Sequence, residues 1–285
     1  YSAVGLINVF GDMGAAFAVG VAALATAYRF NWRIAFMLGA CIALIGSMAR
    51  TALRETPEFA DAKKRLNKLW REAGTQDDFW KGHPLYQEAA NKKTAWAYFS
   101  IMCTGPTFLY FVYFYSHNIL KINFHYSAHR ILIHSLLVSI FQLVSWAILR
   151  AYLSSKIYPL KILQAAWGGL LISVPFLPWL LEHITAPWHL FLIQSMIVLL
   201  RVTDLPAAPI FLKNFPVFKR FSYASVLYAV AYALMFSISS FGLPYLVDHL
   251  GYWGLLVIML PVLIGYGFGL RYFKQLEIAA GRYPK

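Results

Sequence analysis

Charge is scarce in this chain, and acid scarcer still. Only 13% of its 285 residues are charged, with 12 Asp and Glu against 25 Lys and Arg. A soluble domain carries about 25% charge, so a water-facing globular protein is excluded. Cysteine is nearly missing: Cys41 and Cys103 stand alone, in different apolar runs. That excludes a disulfide scaffold, a paired-thiol redox centre and a Cys-based metal site, and leaves two small buried hydrophobes. Enzyme signatures are missing too, with no H-E-x-x-H, no G-x-S-x-G and no Walker-type loop. Gly265-x-Gly267-x-Gly269 lies inside an apolar run, where a dinucleotide site has no strand–turn–helix context. Small residues at that spacing instead let helices approach closely.

What the chain has is apolar length. Hydrophobic residues make up 60% of it, at a mean hydropathy of +0.57. A hydrocarbon core about 30 Å thick is crossed by roughly 20 apolar residues in a helix. Eight runs approach or exceed that length: Ser2–Ala27, Trp32–Leu53, Thr94–Tyr115, His129–Leu153, Tyr158–Leu181, Trp188–Leu212, Phe221–Leu246 and Trp253–Tyr272. Their order is two, a charged gap over Arg54–Lys93, then six. The expected fold is therefore all-α and polytopic, with eight transmembrane helices. Within the gap, Thr56-Pro57-Glu58 reads as a helix start. Phe59, Ala62, Leu66, Leu69, Trp70 and Ala73 follow at helical spacing, which predicts a short amphipathic helix on the membrane face or a solvated linker helix.

The net charge of +13 is one-sided on this topology. About twenty Lys and Arg fall on the side of the gap and the C-terminus: Arg50, those of 54–93, and those near 150–161, 213–220 and 271–285. Arg29, Arg33, Lys121 and Arg130 fall on the other, and Arg201 is left inside the membrane. Cytoplasmic loops are enriched in Lys and Arg, so the gap and both ends are expected in the cytoplasm. The basicity then needs no nucleic-acid partner. The chain begins at Tyr1, already inside an apolar run, with no signal-peptide pattern ahead of it. It is expected to be part of a longer or trimmed polypeptide.

Asn31-Trp32-Arg33-Ile34-Ala35-Phe36 and, later, Leu53-Arg54-Glu55-Thr56-Pro57-Glu58-Phe59 carry a family resemblance. They resemble the W-R-I-P-F start and E-T-P-x-F exit of the sixth helix in the metabolite:proton symporter branch of the major facilitator superfamily. Asn214-Phe215-Pro216-Val217-Phe218-Lys219-Arg220 resembles that branch's F-P-x-x-x-R stretch, although Lys213 stands where an acid is usual. The resemblance implies helices five to twelve of a twelve-helix carrier. Residues 1–53 would be the last two helices of the N-terminal half, 54–93 the central cytoplasmic loop, and 94–285 the C-terminal six-helix half. Four further spans are expected before Tyr1. The implied function is proton-coupled symport of a small polar solute across the bacterial inner membrane. Proline or betaine, another amino acid, or a carboxylate would suit. No cofactor and no metal is expected beyond the coupling proton. The partners are the lipid bilayer, the solute, and either the missing helices of the same chain or a membrane-complex partner. The alternative is a truncated, non-transporting carrier remnant serving as a structural subunit. An intramembrane enzyme fits poorly, because no nucleophile–base or metal set is present.

Ionisable groups at membrane depth are costly and usually face a cavity or a partner. Asp12 lies mid-span, one turn after Asn8, and a central Asp costs roughly 3 kcal/mol on insertion scales. It reads as a proton or cation site, or as a packing hydrogen bond beside Gly11 and Gly14. Arg201 and Asp204 sit three apart on the sixth span and so are expected on one helix face. Counted back from Pro216 at about 1.5 Å per residue, Arg201 falls roughly 22 Å into that span. The guanidinium suits a substrate carboxylate, or the two groups simply neutralise each other. Pro206 and Pro209 free backbone carbonyls nearby. His134 is a candidate proton relay or a packing residue, as are Gln142 and Gln194 among the packing residues. His117, His125 and His129 read as interfacial. Tyr110, Tyr113 and Tyr115 on the third span, and Tyr228, Tyr232 and Phe236 on the seventh, offer faces for a cationic solute or for packing.

Overall fold

The computed structural model describes residues 2–27, 33–51, 89–146 and 153–284, with 61, 64, 65 and 68 isolated between them. Side chains at 2–8, 35, 49–51, 154 and 155 are not among those described. Apart from positions 61, 64, 65 and 68, the predicted amphipathic helix of the charged gap lies outside the described residues. Helix is the only regular structure among them. In hydrocarbon a backbone must satisfy its own N–H and C=O groups, and an apolar helix does so within one segment.

The helices are α1 (Ser2–Ala27), α2 (Arg33–Thr51), α3 (Lys92–Phe124), α4 (Ala128–Ser145), α5 (Pro159–Glu182), α6 (Pro187–Leu200), α7 (Arg220–Leu250) and α8 (Gly254–Ala279). Short helices at Leu153–Lys156 and Ala208–Leu212 lie between them. Each predicted apolar run overlaps one of these helices. By length and composition, five stretches among the described residues can cross a membrane: Val9–Ala27, Lys92–Phe124, Ala128–Ser145, Pro159–Glu182 and Arg220–Ala279. The last of these is two helices, α7 and α8, which turn back on each other at Gly251. That residue has a φ of 61°, which favours glycine. Gly254 completes the reversal, because a Cβ there would stand 2.4 Å from the Leu246 carbonyl oxygen.

Two predicted boundaries are corrected. The loop expected over Ser116–Ala128 shrinks to 125–127, because α3 runs on to Phe124. Residues Phe111–Tyr115 wind as a π-helix, and His125 ends α3 in the left-handed region at a φ of 49°. The sixth span is not continuous either: α6 stops at Leu200 and helix resumes only at Ala208. Proline deletes the hydrogen bond to the carbonyl four residues earlier. Pro206 and Pro209 therefore remove the bonds to Val202 and Leu205, and the break falls upstream of both. Tertiary contacts satisfy the opened backbone. Tyr266 of α8, fully buried, donates to the Thr203 carbonyl at 2.8 Å. The Leu205 N–H donates to Thr203 Oγ1 at 3.3 Å.

Two packing contacts position the interior. α1 runs antiparallel to α4 with its small residues inward. Ala16 and Ala23 are buried, and Gly20 lies against Leu136. α8 packs on α3 through Gly269, where a Cβ would stand 2.6 Å from the Ala97 carbonyl oxygen. The glycine spacing thus serves helix packing. Large apolar side chains face outward on most helices, among them Phe10, Phe36 and Phe241, the last 80% exposed. Lipid is the natural partner for such a surface.

Residues predicted to share one side of the membrane meet in space. Lys213, beyond α6, bonds Glu277 at the end of α8 at 2.7 Å, and Tyr158 at the start of α5 donates to the same carboxylate at 2.7 Å. Tyr115 and Asn118 of α3 gather with Asp248 and Tyr252 around the α7–α8 turn. The residue at 213, where the resemblance leads one to expect an acid, is thus the counter-ion of a buried acid on α8.

Candidate functional site

α4 carries a polar stripe on an otherwise apolar helix. Ser135, Ser139 and Gln142 recur at helical spacing, and all three are buried. Gln142 is the junction of the site. Its Nε2 donates to Asp12 Oδ1 at 2.6 Å, and its Oε1 accepts from the Tyr113 hydroxyl at 2.9 Å. Ser139 Oγ donates to the Tyr113 oxygen at 3.3 Å. A continuous hydrogen-bonded chain therefore runs from α3 through α4 to α1. The Asn8 side chain lies outside the described residues, so its expected place beside Asp12 has no structural account.

Arg201 stands where α6 ends, its guanidinium carbon 5.5 Å from the centre of the Trp146 ring at the end of α4. The unwound backbone corrects the expectation that Arg201 and Asp204 share a helix face, and with it the depth counted along a continuous helix. The two groups are instead presented by the broken segment itself, as discontinuous helices commonly do around binding sites. Arg201 is within electrostatic range of Tyr113 and Tyr232, and Asp204 of Tyr98 and Tyr232.

An aromatic ladder borders this segment on α7 and α3. Tyr228 and Tyr232 have ring centres 4.1 Å apart. Tyr232 continues to Phe236 at 6.3 Å, Phe236 to Phe114 at 6.4 Å, and Phe114 to Tyr110 at 5.6 Å. The Tyr232 hydroxyl is seated on Gly105 of α3, where a Cβ would lie 2.9 Å from it. Tyr110 donates to the Ser240 carbonyl of α7 at 3.4 Å. Tyr228 is 45% exposed, so its face is open to a ligand or a neighbouring helix.

His134 belongs to a separate network. Its Nε2 is 2.6 Å from Gln194 Oε1, and Gln194 Nε2 donates to the Val112 carbonyl at 2.7 Å. Because the amide of Gln194 is fixed by that carbonyl, the imidazole Nε2 is the donor. Val112 lies in the π-helical turn, whose carbonyl Gln194 satisfies. His117 Nε2 meets Ser135 Oγ at 2.6 Å and is half-buried.

The structure thus joins Asp12 to Tyr113, gathers Arg201, Asp204, Tyr228 and Tyr232 near the break, and places Tyr110 at the ladder's end. It sets His134 apart. Sequence reasoning undervalued Gln142, Ser139 and Trp146. The signal for the first two was the polar stripe on α4, while Trp146 had none.

Among the described residues, no group of His, Cys, Asp and Glu has a metal-binding arrangement. The site holds two carboxylates, Asp12 and Asp204, and one guanidinium, Arg201, with aromatic faces beside the broken segment. No curated protein and no solved structure shows significant similarity to the chain. A sequence model of the Major Facilitator Superfamily, a family of secondary transporters, matches residues 1–211 of the 285. With its apolar helices and this match, the chain belongs to the Major Facilitator Superfamily.

Proposed function

We propose that the chain belongs to a proton-coupled symporter of the metabolite:proton branch. Its cargo is a small polar solute with an anionic group: a betaine or proline, another amino acid, or a carboxylate. The observation that carries this reading is the Gln142–Asp12 hydrogen bond, close to Arg201 and the aromatic ladder. In this reading α1 and α2 belong to one helical half and α3 to α8 to the other, so that bond links the two. Rocking of the halves around a midplane site gives alternating access. Asp12 takes up and releases the proton as its contact with Gln142 is remade on each cycle. Arg201 holds the solute's anionic group by its planar fork, and Tyr228 and Tyr232 hold a cationic group by their faces. The membrane is the bacterial inner membrane, with the Lys213–Glu277 end in the cytoplasm, a placement supported by the Lys and Arg asymmetry.

The test is uptake by the full-length protein in proteoliposomes under an imposed pH gradient, with labelled proline, betaine and carboxylates. One class should accumulate, and a protonophore should abolish the accumulation. Uptake indifferent to the gradient would remove the proton from the mechanism. Absence of uptake across the panel would count against the solute class.

A further inference from the structure

The end of the molecule that holds Lys213 and Glu277 also carries a groove of about 400 Å³ between α5 and α8. Its lining has two characters. Trp167, Leu270 and Ile278 form an apolar floor, while Gln164, Arg271 and Lys274 form a polar mouth. The sequence explains the floor. Gly267 has no side chain, and a Cβ there would stand 2.4 Å from the Trp167 ring, so the indole lies against the α8 backbone. Its Nε1 donates to the Leu263 carbonyl at 2.8 Å, which fixes the ring.

The segment after α8 lies beside the mouth. Tyr283 folds back, donates to Gln164 Oε1 at 3.3 Å and packs edge-on against Tyr158 at 5.4 Å. Two ammonium groups face its ring, Lys161 at 5.8 Å and Lys274 at 5.2 Å. Arg271 lies one turn before Lys274 on the same face of α8. Among the described residues no ion pair reaches Lys161, Arg271 or Lys274. Glu277, an acid of this end, is held by Lys213 and Tyr158. Arg271 and Lys274, one turn apart at the mouth, repel each other, and a bound anion would offset that repulsion. From Gly267 to Ile278 the groove follows α8 for roughly 16 Å at 1.5 Å per residue, enough for a headgroup and the first part of an acyl chain. A free anion would make no use of the apolar floor.

We propose that this groove binds one anionic phospholipid, its phosphodiester between Arg271 and Lys274 and an acyl chain along Trp167 and Leu270. Basic pockets between membrane helices recognise anionic headgroups in this way. The site is independent of the solute pathway.

The test is native mass spectrometry of the full-length protein in mild detergent with added phosphatidylglycerol or phosphatidylcholine. One phosphatidylglycerol should be retained per chain, in preference to phosphatidylcholine. Arg271→Gln and Lys274→Gln should each weaken retention roughly fivefold. Lys219→Gln, a cation of the same end away from the groove, should leave it unchanged. Ile278→Trp fills the floor and keeps both charges of the mouth, and it should also expel the lipid, which keeps the test decisive if a charge variant fails to fold. Equal retention of phosphatidylcholine would reduce the groove to ordinary lipid contact. Displacement by millimolar inorganic phosphate would make it a free-anion site. Retention undiminished in both Arg271→Gln and Ile278→Trp would overturn the proposal.

Discussion

Asp12 Oδ1 accepts a hydrogen bond from Gln142 Nε2 at 2.6 Å, joining α1 to α4 where both helices are otherwise apolar or small. The approach is possible because the facing residues of α1 are Ala16, Gly20 and Ala23. It is extended by Tyr113, which donates to the other end of the same amide at 2.9 Å. Gln142 therefore ties Asp12 of α1 to Tyr113 of α3.

Asp12→Asn keeps an acceptor for Gln142 but removes the exchangeable charge. Accumulation driven by a pH gradient should be lost, while solute exchange between the two sides of the membrane persists. Gln142→Leu removes the bond itself. It should cost about 0.6–2 kcal/mol of stability, the range of interhelical hydrogen bonds in membranes, and impair exchange as well. Transport assays paired with thermal unfolding in detergent separate the two. Full gradient-driven accumulation by Asp12→Asn would exclude Asp12 as the proton carrier.

Arg201 lies over Trp146 at 5.5 Å, an arrangement that a lysine ammonium can also adopt. Arg201→Lys should therefore fold, keep its charge and lose the two-pronged grip on a carboxylate. A charged hydrogen bond is worth about 1.5–3 kcal/mol, so solute affinity should fall roughly tenfold to a hundredfold. Arg201→Gln should bind no solute. Binding by calorimetry, with helical content as control, decides the matter. Normal affinity in both variants would make Arg201 a structural residue and move the site to the aromatic ladder.

Much of the helix order was legible because hydropathy alone dictates it: a run of apolar residues in hydrocarbon has little choice but helix. The irregular turns were not, because their backbone groups are satisfied from far along the chain. Val112 O finds Gln194, and Thr203 O finds Tyr266. Neither pairing has a local signature. The break after Leu200 was half-written in Pro206 and Pro209, yet it lies upstream of them because proline frees the carbonyl four residues earlier. Asp12, Arg201 and the α7 tyrosines stood out as costly or crowded residues in apolar runs. Gln142 did not, since one amide on a helix is commonplace until its two partners are seen.

His134 and Gln194 should behave as a structural pair. Gln194→Leu strands both the Val112 carbonyl and the imidazole, whereas His134→Leu strands only the Gln194 oxygen. The first should be the more destabilising, by up to about 2 kcal/mol. The double variant should cost less than the sum of the two, because the shared bond can be lost only once. Gradient-driven uptake should survive in His134→Leu at temperatures where the protein stays folded. Loss of proton coupling without loss of stability would instead place His134 in the proton path.

Glu277 and Lys213 pair at 2.7 Å with unequal burial: the Glu277 side chain is 3% exposed and that of Lys213 28%. That inequality predicts an order of costs. Lys213→Met leaves a buried carboxylate with the Tyr158 hydroxyl in place of its counter-charge. Removing one partner of a buried pair costs about 3–5 kcal/mol, and partial exposure of this pair brings the expected loss to about 2–3 kcal/mol. Glu277→Gln leaves the lysine unpaired instead, but a partly exposed ammonium can swing into water, and the amide still accepts from Tyr158. Its loss should be nearer 1 kcal/mol. Lys213→Met combined with Glu277→Gln should recover part of the larger loss, because no unpaired charge remains. Thermal unfolding of the purified variants in one detergent measures all three. If Glu277→Gln proves the costlier single change, the carboxylate is not the vulnerable member, and the tie between the end of α8 and the segment after α6 rests on some other contact.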